Sequence, residues 1–210
     1  MVTRPADAFR VLVQGAEDEI PLDHAALLVA ATARPAVDVV AGLARLDALA
    51  AGCPEATLDG LRHHLFAVEG FRGNVEDYYD PRNSYLDQVL ERRLGIPITL
   101  ALVFMEVGRR LRLSIEGLNT PGHFLVRAGD AVLDPFAGGA EVHPTLLPSG
   151  PLEVAGPRVV LARMLANLKQ VFLERGDVGN LRWVLELRTA IPGVPATERD
   201  ELRRLLARLN

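Results

Sequence analysis

Sulfur, aromatic rings and lysine are all scarce in this chain of 210 residues. There is one cysteine, Cys53. It cannot form an intramolecular disulfide, and a structural zinc site built on several thiolates is excluded. A reducing compartment fits that count. Aromatics make up 5% of the residues, too few for the stacking platforms that hold single-stranded nucleic acid. The formal net charge is −4. No positive field gathers phosphates, so nucleic acid is not an expected partner. Lys169 is the only lysine, which excludes a lysine-based mechanism in the first half of the chain.

Long apolar runs are missing too. The longest, Ile96 to Val107, contains Pro97 and Glu106 and is too short to span a bilayer. The start, Met1 to Asp7, has no apolar signal segment. The expectation is a cytoplasmic protein with no membrane partner. Hydrophobic residues at 49% and charged residues at 24% are globular values.

Helical spacing dominates residues 5–60. Asp23 reads as the cap of one helix and Pro35 as the opening of another, and a third is expected from about Pro54 to Glu69. Asp80-Pro81-Arg82-Asn83 is a turn cluster, after which Ser84 reads as a helix cap. Pro97 suits the first turn of the next helix, about 97–112. That helix is apolar all round until Arg109, which predicts burial on most faces.

The period then changes to two. Residues 113–118, 123–127 and 131–136 read as strands, the last two joined by a tight turn at Ala128-Gly129-Asp130. Gly138-Gly139, Pro144, Pro148, Gly150-Pro151 and Gly156-Pro157 mark an irregular stretch. From Arg158 onward the chain reads as helical, with Asn180 and Thr197 as caps. These signals divide the chain into a helical region at 1–70, a core at 71–157 and a helical tail at 158–210.

A two-residue hairpin loop, either Ala128-Gly129 or Gly129-Asp130, puts His123 and Asp134 on one sheet face, because side chains alternate along a strand. A carboxylate that holds an imidazole in one tautomer is half of a Cys-His-Asp or Ser-His-Asp triad. The plainer alternative is that His123 caps a turn and Asp134, just before Pro135, ends a strand. His63 and His64 lie on different helix faces without acidic or thiol neighbours at ligand spacing, so no metal site is expected. Glu106 is expected to pair with Arg109 or Arg110, or with a loop arginine such as Arg82. Tyr78, Tyr79, Arg82 and Asn83, with Asn119, are candidates for a groove beside His123; alternatively they knit a long loop to the surface.

A longer ordered run carries more information. Gly73-Asn74, Tyr79 to Leu86, Gly95 to Leu100, Pro121 to Arg127, Leu133 to Phe136 and Gly138-Gly139 follow in sequence. This resembles the SirB-type family of transglutaminase-like proteins, over about residues 20–210. The resemblance implies an α+β fold: a helical N-terminal region, a papain-like core with a central buried helix against a small antiparallel sheet, and a tetratricopeptide-like helical tail. In active members the nucleophile is a cysteine at the N-terminus of the central helix, where a thiolate is favoured. Here Gly95-Ile96-Pro97-Ile98-Thr99-Leu100-Ala101 places Pro97 at that position. His123 and Asp134 match the family's histidine and aspartate. Cys53, Thr99 and Ser84 each have a structural reading instead. The resemblance thus implies a non-catalytic binding or regulatory module that needs no cofactor, with another protein or peptide as partner. The alternatives are a hydrolase or acyl transferase using His123 and Asp134 as general base, and a scaffold acting through an apolar surface of the tail.

Overall fold

A computed structural model describes residues 3–147, 150 and 152–209 of the chain. Pro148 and Pro151, read above as loop punctuation, and Met1 and Val2 lie outside the described residues. The helices are α1 (Pro5–Gln14), α2 (Leu22–Ala33), α3 (Val39–Ala51), α4 (Leu58–Arg62), α5 (Leu86–Arg92), α6 (Pro97–Arg110), α7 (Pro157–Glu174), α8 (Val178–Arg188) and α9 (Ala196–Leu209). The strands are β1 (Arg72–Gly73), β2 (Leu94–Gly95), β3 (Glu116–Thr120), β4 (His123–Ala128), β5 (Ala131–Asp134), β6 (Ala140–Glu141) and β7 (Val154–Ala155). No helix among the described residues is long and apolar enough to cross a membrane.

The chain divides into two compact units, Met1–Val39 with Pro157–Asn210, and Val40–Gly156. This is not three consecutive segments: residues 3–39 group with the helical tail, and residues 40–70 group with the core, where α4 lies on α6. Apolar periodicity shows that a helix needs a covering surface but not which surface, so the partition was not readable locally. In the first unit α1 lies on α2, and α7, α8 and α9 stack in order. An apolar hollow of about 460 Å³ opens among Phe172, Leu173, Leu181, Leu185 and Leu205. Asp177, not Asn180, caps α8 by accepting the Asn180 N–H at 3.0 Å. Thr197 lies inside α9.

The second unit is built on α6. Its sequence PITLALVFMEVG has no polar face, and every residue from Pro97 to Gly108 is buried. Pro97 occupies the first helical position, where its missing N–H leaves no bond unmade. The helix is surrounded by α4, α5, β3 and β4. Phe104 has no exposed surface and stacks on Phe66 at 5.7 Å between centroids. The five-stranded sheet has the order β6-β5-β4-β3-β7, antiparallel throughout. Gly117 lets it approach α6: a Cβ there would meet the Phe124 ring at 2.8 Å and the Met105 sulfur at 3.2 Å. Leu118, Leu125 and Val132 form a second apolar layer with Val142, Leu147 and Leu152. Glu106 pairs with both Arg109 and Arg110 on its own helix, at 2.8 and 3.1 Å, and Arg82 goes to Asp80 instead.

Several local expectations are corrected. Asp23 lies within the first turn of α2, after an N-cap at Pro21, and bonds the next N–H at 2.8 Å. Pro35 sits in a turn four residues ahead of α3. The third helix begins only at Leu58, where Thr57 accepts the Gly60 N–H as a true cap, and it continues as a π-helix over His63–Val68. Ser84 is buried in a 3-10 turn (Pro81–Ser84), leaving Tyr85 at the N-cap of α5. The first strand of the sheet begins at Glu116, three residues later than expected, after Arg112 adopts a positive φ.

If α6 is the centre of this unit, truncating its most enclosed side chain is costly. Phe104→Ala is expected to lower stability by about 3–5 kcal/mol. The check is the urea midpoint, which would stay at its wild-type value if the core lay elsewhere.

Candidate functional site

The site begins at a hairpin. Ala128 pairs with Ala131 and Val126 with Leu133, so the loop is Gly129-Asp130. Gly129 has φ +60° at the first turn position, which an L side chain resists. Continuing this register sets Leu125 opposite Asp134, with His123 diagonally beside it. His123 Nε2 lies 2.8 Å from Asp134 Oδ2.

Asp134 is held on both oxygens. Oδ1 accepts the Phe136 N–H at 2.9 Å and the Ala137 N–H at 3.3 Å, capping the 3-10 turn Pro135–Ala137. Burial pushes the Asp134 carboxyl up. The hydrogen bond from His123, its charge and the two backbone donors outweigh that, and the net effect holds the carboxyl below its ordinary range. An ionised carboxylate only accepts, so the proton of this hydrogen bond lies on Nε2. Nδ1 is left as the outward nitrogen, an acceptor in the neutral ring and a donor in the charged one, on a side chain one-third exposed.

A loop leads to this pair. β1 and β2 form a short parallel bridge, Gly73 opposite Gly95, just before α6. Gly73 is packed under Phe136, with 2.6 Å from an added Cβ to the ring. Phe136 in turn meets His123 edge to face at 6.2 Å and Tyr78 at 6.0 Å, and Tyr78 meets Tyr79 at 5.4 Å. Contacts therefore run from the bridge ahead of α6 through Phe136 to His123. Phe136 and Gly73 had no place in the sequence argument as site residues. The shared Gly73-Asn74 and Asp134-Pro135-Phe136 motifs were their signal.

The proposed groove residues divide. Tyr79 is exposed beside the rings. Asn83 has no exposed surface: its amide donates to the carbonyl oxygens of Asp77 at 2.7 Å and Tyr78 at 3.2 Å, and accepts from Asn74 at 3.0 Å. Its carbonyl accepts the Thr99 hydroxyl at 2.7 Å, and that hydroxyl accepts the Ile96 N–H at 3.1 Å. These bonds place Asn83 inside the loop's scaffold and not on a groove wall. Arg82 grips the buried Asp80 at 2.7 Å, with its own side chain largely in solvent. Asn119 is half-buried on β3, opposite Phe124.

Other sulfur and imidazole groups stand apart from this arrangement. The Cys53 thiol donates to the Glu55 carbonyl at 3.2 Å after the end of α3. His64 is buried with Nε2 3.0 Å from the Leu49 carbonyl, whereas His63 is exposed. Among the described residues no group of three or more His, Cys, Asp or Glu could hold a metal ion.

Comparison with known proteins fits this geometry. Residues 31–150 match the model of a transglutaminase-like superfamily domain. A UPF0162 protein of Xylella fastidiosa is 36% identical, over 88% of this chain and 76% of its own. A UPF0162 protein of Pseudomonas aeruginosa is 34% identical, over 77% of this chain and 68% of its own. F-box only protein 21 of Homo sapiens is 42% identical over 83 residues, 38% of this chain and 13% of that protein. No solved structure matches significantly. A buried helix against an antiparallel sheet, a histidine and aspartate paired across its hairpin, and relatives aligned along most of both chains lead to one assignment: the chain belongs to the transglutaminase-like superfamily.

Proposed function

We propose that this is a SirB-type member in which Pro97 stands where active relatives carry their nucleophilic cysteine, and that it works as a non-catalytic binding or regulatory module. Its partner is another protein or peptide, and its last three helices are a tetratricopeptide-like tail. The observation that carries the reading is the composition of the first turn of α6. Pro97 is buried at the first helical position and has no nucleophilic atom. Thr99, two residues on, has its hydroxyl occupied by Asn83 and Ile96. Covalent catalysis needs a nucleophile within hydrogen-bond reach of the base, and neither residue supplies one.

One observation favours a second reading. His123 is oriented through Nε2 by an ionised carboxylate, which leaves Nδ1 as the nitrogen that a general base would turn to water. Turnover of p-nitrophenyl acetate or a peptide anilide separates the two. No turnover above the His123→Ala background is expected. Turnover lost in both His123→Ala and Asp134→Asn, yet kept in Cys53→Ser, would establish the hydrolase instead. Cys53→Ser is expected to leave every function intact.

The vacant position has its own test. In a Cys53→Ser background, Pro97→Cys puts a thiol at the positive end of a helix that packs on the strand carrying His123. That thiol is expected to titrate well below the free value of about 8.5. A further His123→Ala change is expected to raise it again. The readout is the pH dependence of iodoacetamide alkylation; an ordinary titration indifferent to His123 would sink the assignment of Pro97.

The pairing also has a pH signature. Because the folded carboxyl of Asp134 is held low, its stabilisation is complete above the unfolded value of about 3.9. It is lost as pH falls through the lowered folded value. Asp134→Asn is therefore expected to fall less steeply in stability than wild type below about pH 4, measured by urea unfolding at stepped pH.

A further inference from the structure

We propose that the strip of rings from Tyr79 to His123 is a docking surface for an extended peptide segment carrying an arginine. This rests on the binding-module reading and gives that site a ligand chemistry. Four rings follow one another edge to face, Tyr79, Tyr78, Phe136 and His123, with successive centroids 5.4, 6.0 and 6.2 Å apart. Tyr79 is 54% exposed and Tyr78 38%. In a chain with so few aromatics, rings gathered on one surface beside an oriented histidine are a binding feature rather than scattered exposure.

Charge selects the ligand. Glu76 and Asp77 directly precede Tyr78; both are exposed, and neither makes an ion pair among the described residues. The nearby Asp80 differs, being neutralised by Arg82 at 2.7 Å and Arg92 at 3.4 Å. Arg72 neighbours Gly73 on β1, and strand alternation turns its side chain away from the Phe136 side. Glu76 and Asp77 are thus the carboxylates of this loop left without an ion-pair partner among the described residues. A ring face attracts cations, and a guanidinium both stacks flat on it and forks onto a carboxylate. An ammonium has neither the plane nor the fork. At the far end, His123 Nδ1 can accept a peptide N–H, which suits an extended backbone with unpaired donors.

The test uses the full chain and a capped, dye-labelled peptide, Gly-Ser-Arg-Gly-Arg-Ser-Gly, read by fluorescence anisotropy. Companion peptides carry lysine or citrulline in place of both arginines. The arginine peptide is expected to bind best, with the uncharged citrulline peptide weaker by about tenfold. Tyr79→Ala, and separately the pair Glu76→Gln with Asp77→Asn, are each expected to weaken binding about fivefold. Asp18→Asn, an exposed carboxylate in the other unit, is expected to change nothing. Failure of the arginine peptide to bind, equal binding of the lysine or citrulline peptide, or an equal loss in Asp18→Asn would each overturn the proposal. Mass spectrometry of the recovered peptide keeps the two readings apart. An unbound, intact peptide sinks the docking surface and leaves the non-catalytic reading standing. A bound and cleaved peptide does the reverse.

Discussion

A buried amide must find partners for all its polar atoms, or it costs the desolvation of each one. Asn83 meets that demand by binding two separate pieces of chain, the 74–78 loop and the first turn of α6. Its side chain takes the carbonyls of Asp77 and Tyr78 and the amide of Asn74, and its backbone carbonyl takes the Thr99 hydroxyl. The segment from Val75 to Tyr79 has no helix or strand of its own to hold it. Its shape is therefore imposed by Asn83 and, through Thr99, by the first turn of α6. The ring strip stands where it does because a polar side chain was buried beneath it. The same bonds occupy the Thr99 hydroxyl, two residues after Pro97.

The helix contributes a different constraint. Because α6 has no polar face, elements must cover it on every side, and each of those elements has lost freedom to move. β4 is one of them, with Phe124 fully buried directly after His123. The imidazole thus sits on a backbone anchored by its neighbour, while its own ring remains partly in solvent. A rigid strand carrying an accessible side chain is the arrangement that precise recognition needs, with or without a chemical step.

What could be read from sequence follows the range of the forces involved. The start of α6 at Pro97 depends on φ restrictions within one or two residues and was legible, whereas the hairpin turn was legible only as one of two loops, of which the register selects Gly129-Asp130. The facing of His123 and Asp134 followed from strand parity, a local rule once the loop length is set. Ser84 and Asp23 look like caps by composition, yet neighbouring backbone bonds chose otherwise, since Ser84 lies inside a 3-10 turn and Asp23 inside α2. The β1–β2 bridge has two residues per strand and no period to detect. Asn83 reads as a groove residue or as one that knits a loop, and its burial depends on bonds back to the 74–78 loop and forward to Thr99 that no periodicity encodes. The grouping of residues 3–39 with the tail joins segments more than a hundred residues apart, beyond any window of periodicity.

The pairing of His123 with Asp134 then has a physical explanation that needs no reaction. Asp134 divides its work: Oδ2 holds the imidazole, and Oδ1 holds the turn carrying Phe136. Removing the carboxylate would release both rings at once and leave two backbone N–H groups without their acceptor. None of these bonds runs to Pro97 at the start of α6. The pair is thus, by its own atoms and distances, a clamp between a histidine and an aromatic surface. Under the proposed reading of Pro97 the pair stands without a nucleophile beside it, because its bonds run along the sheet and the 3-10 turn, not to the helix start.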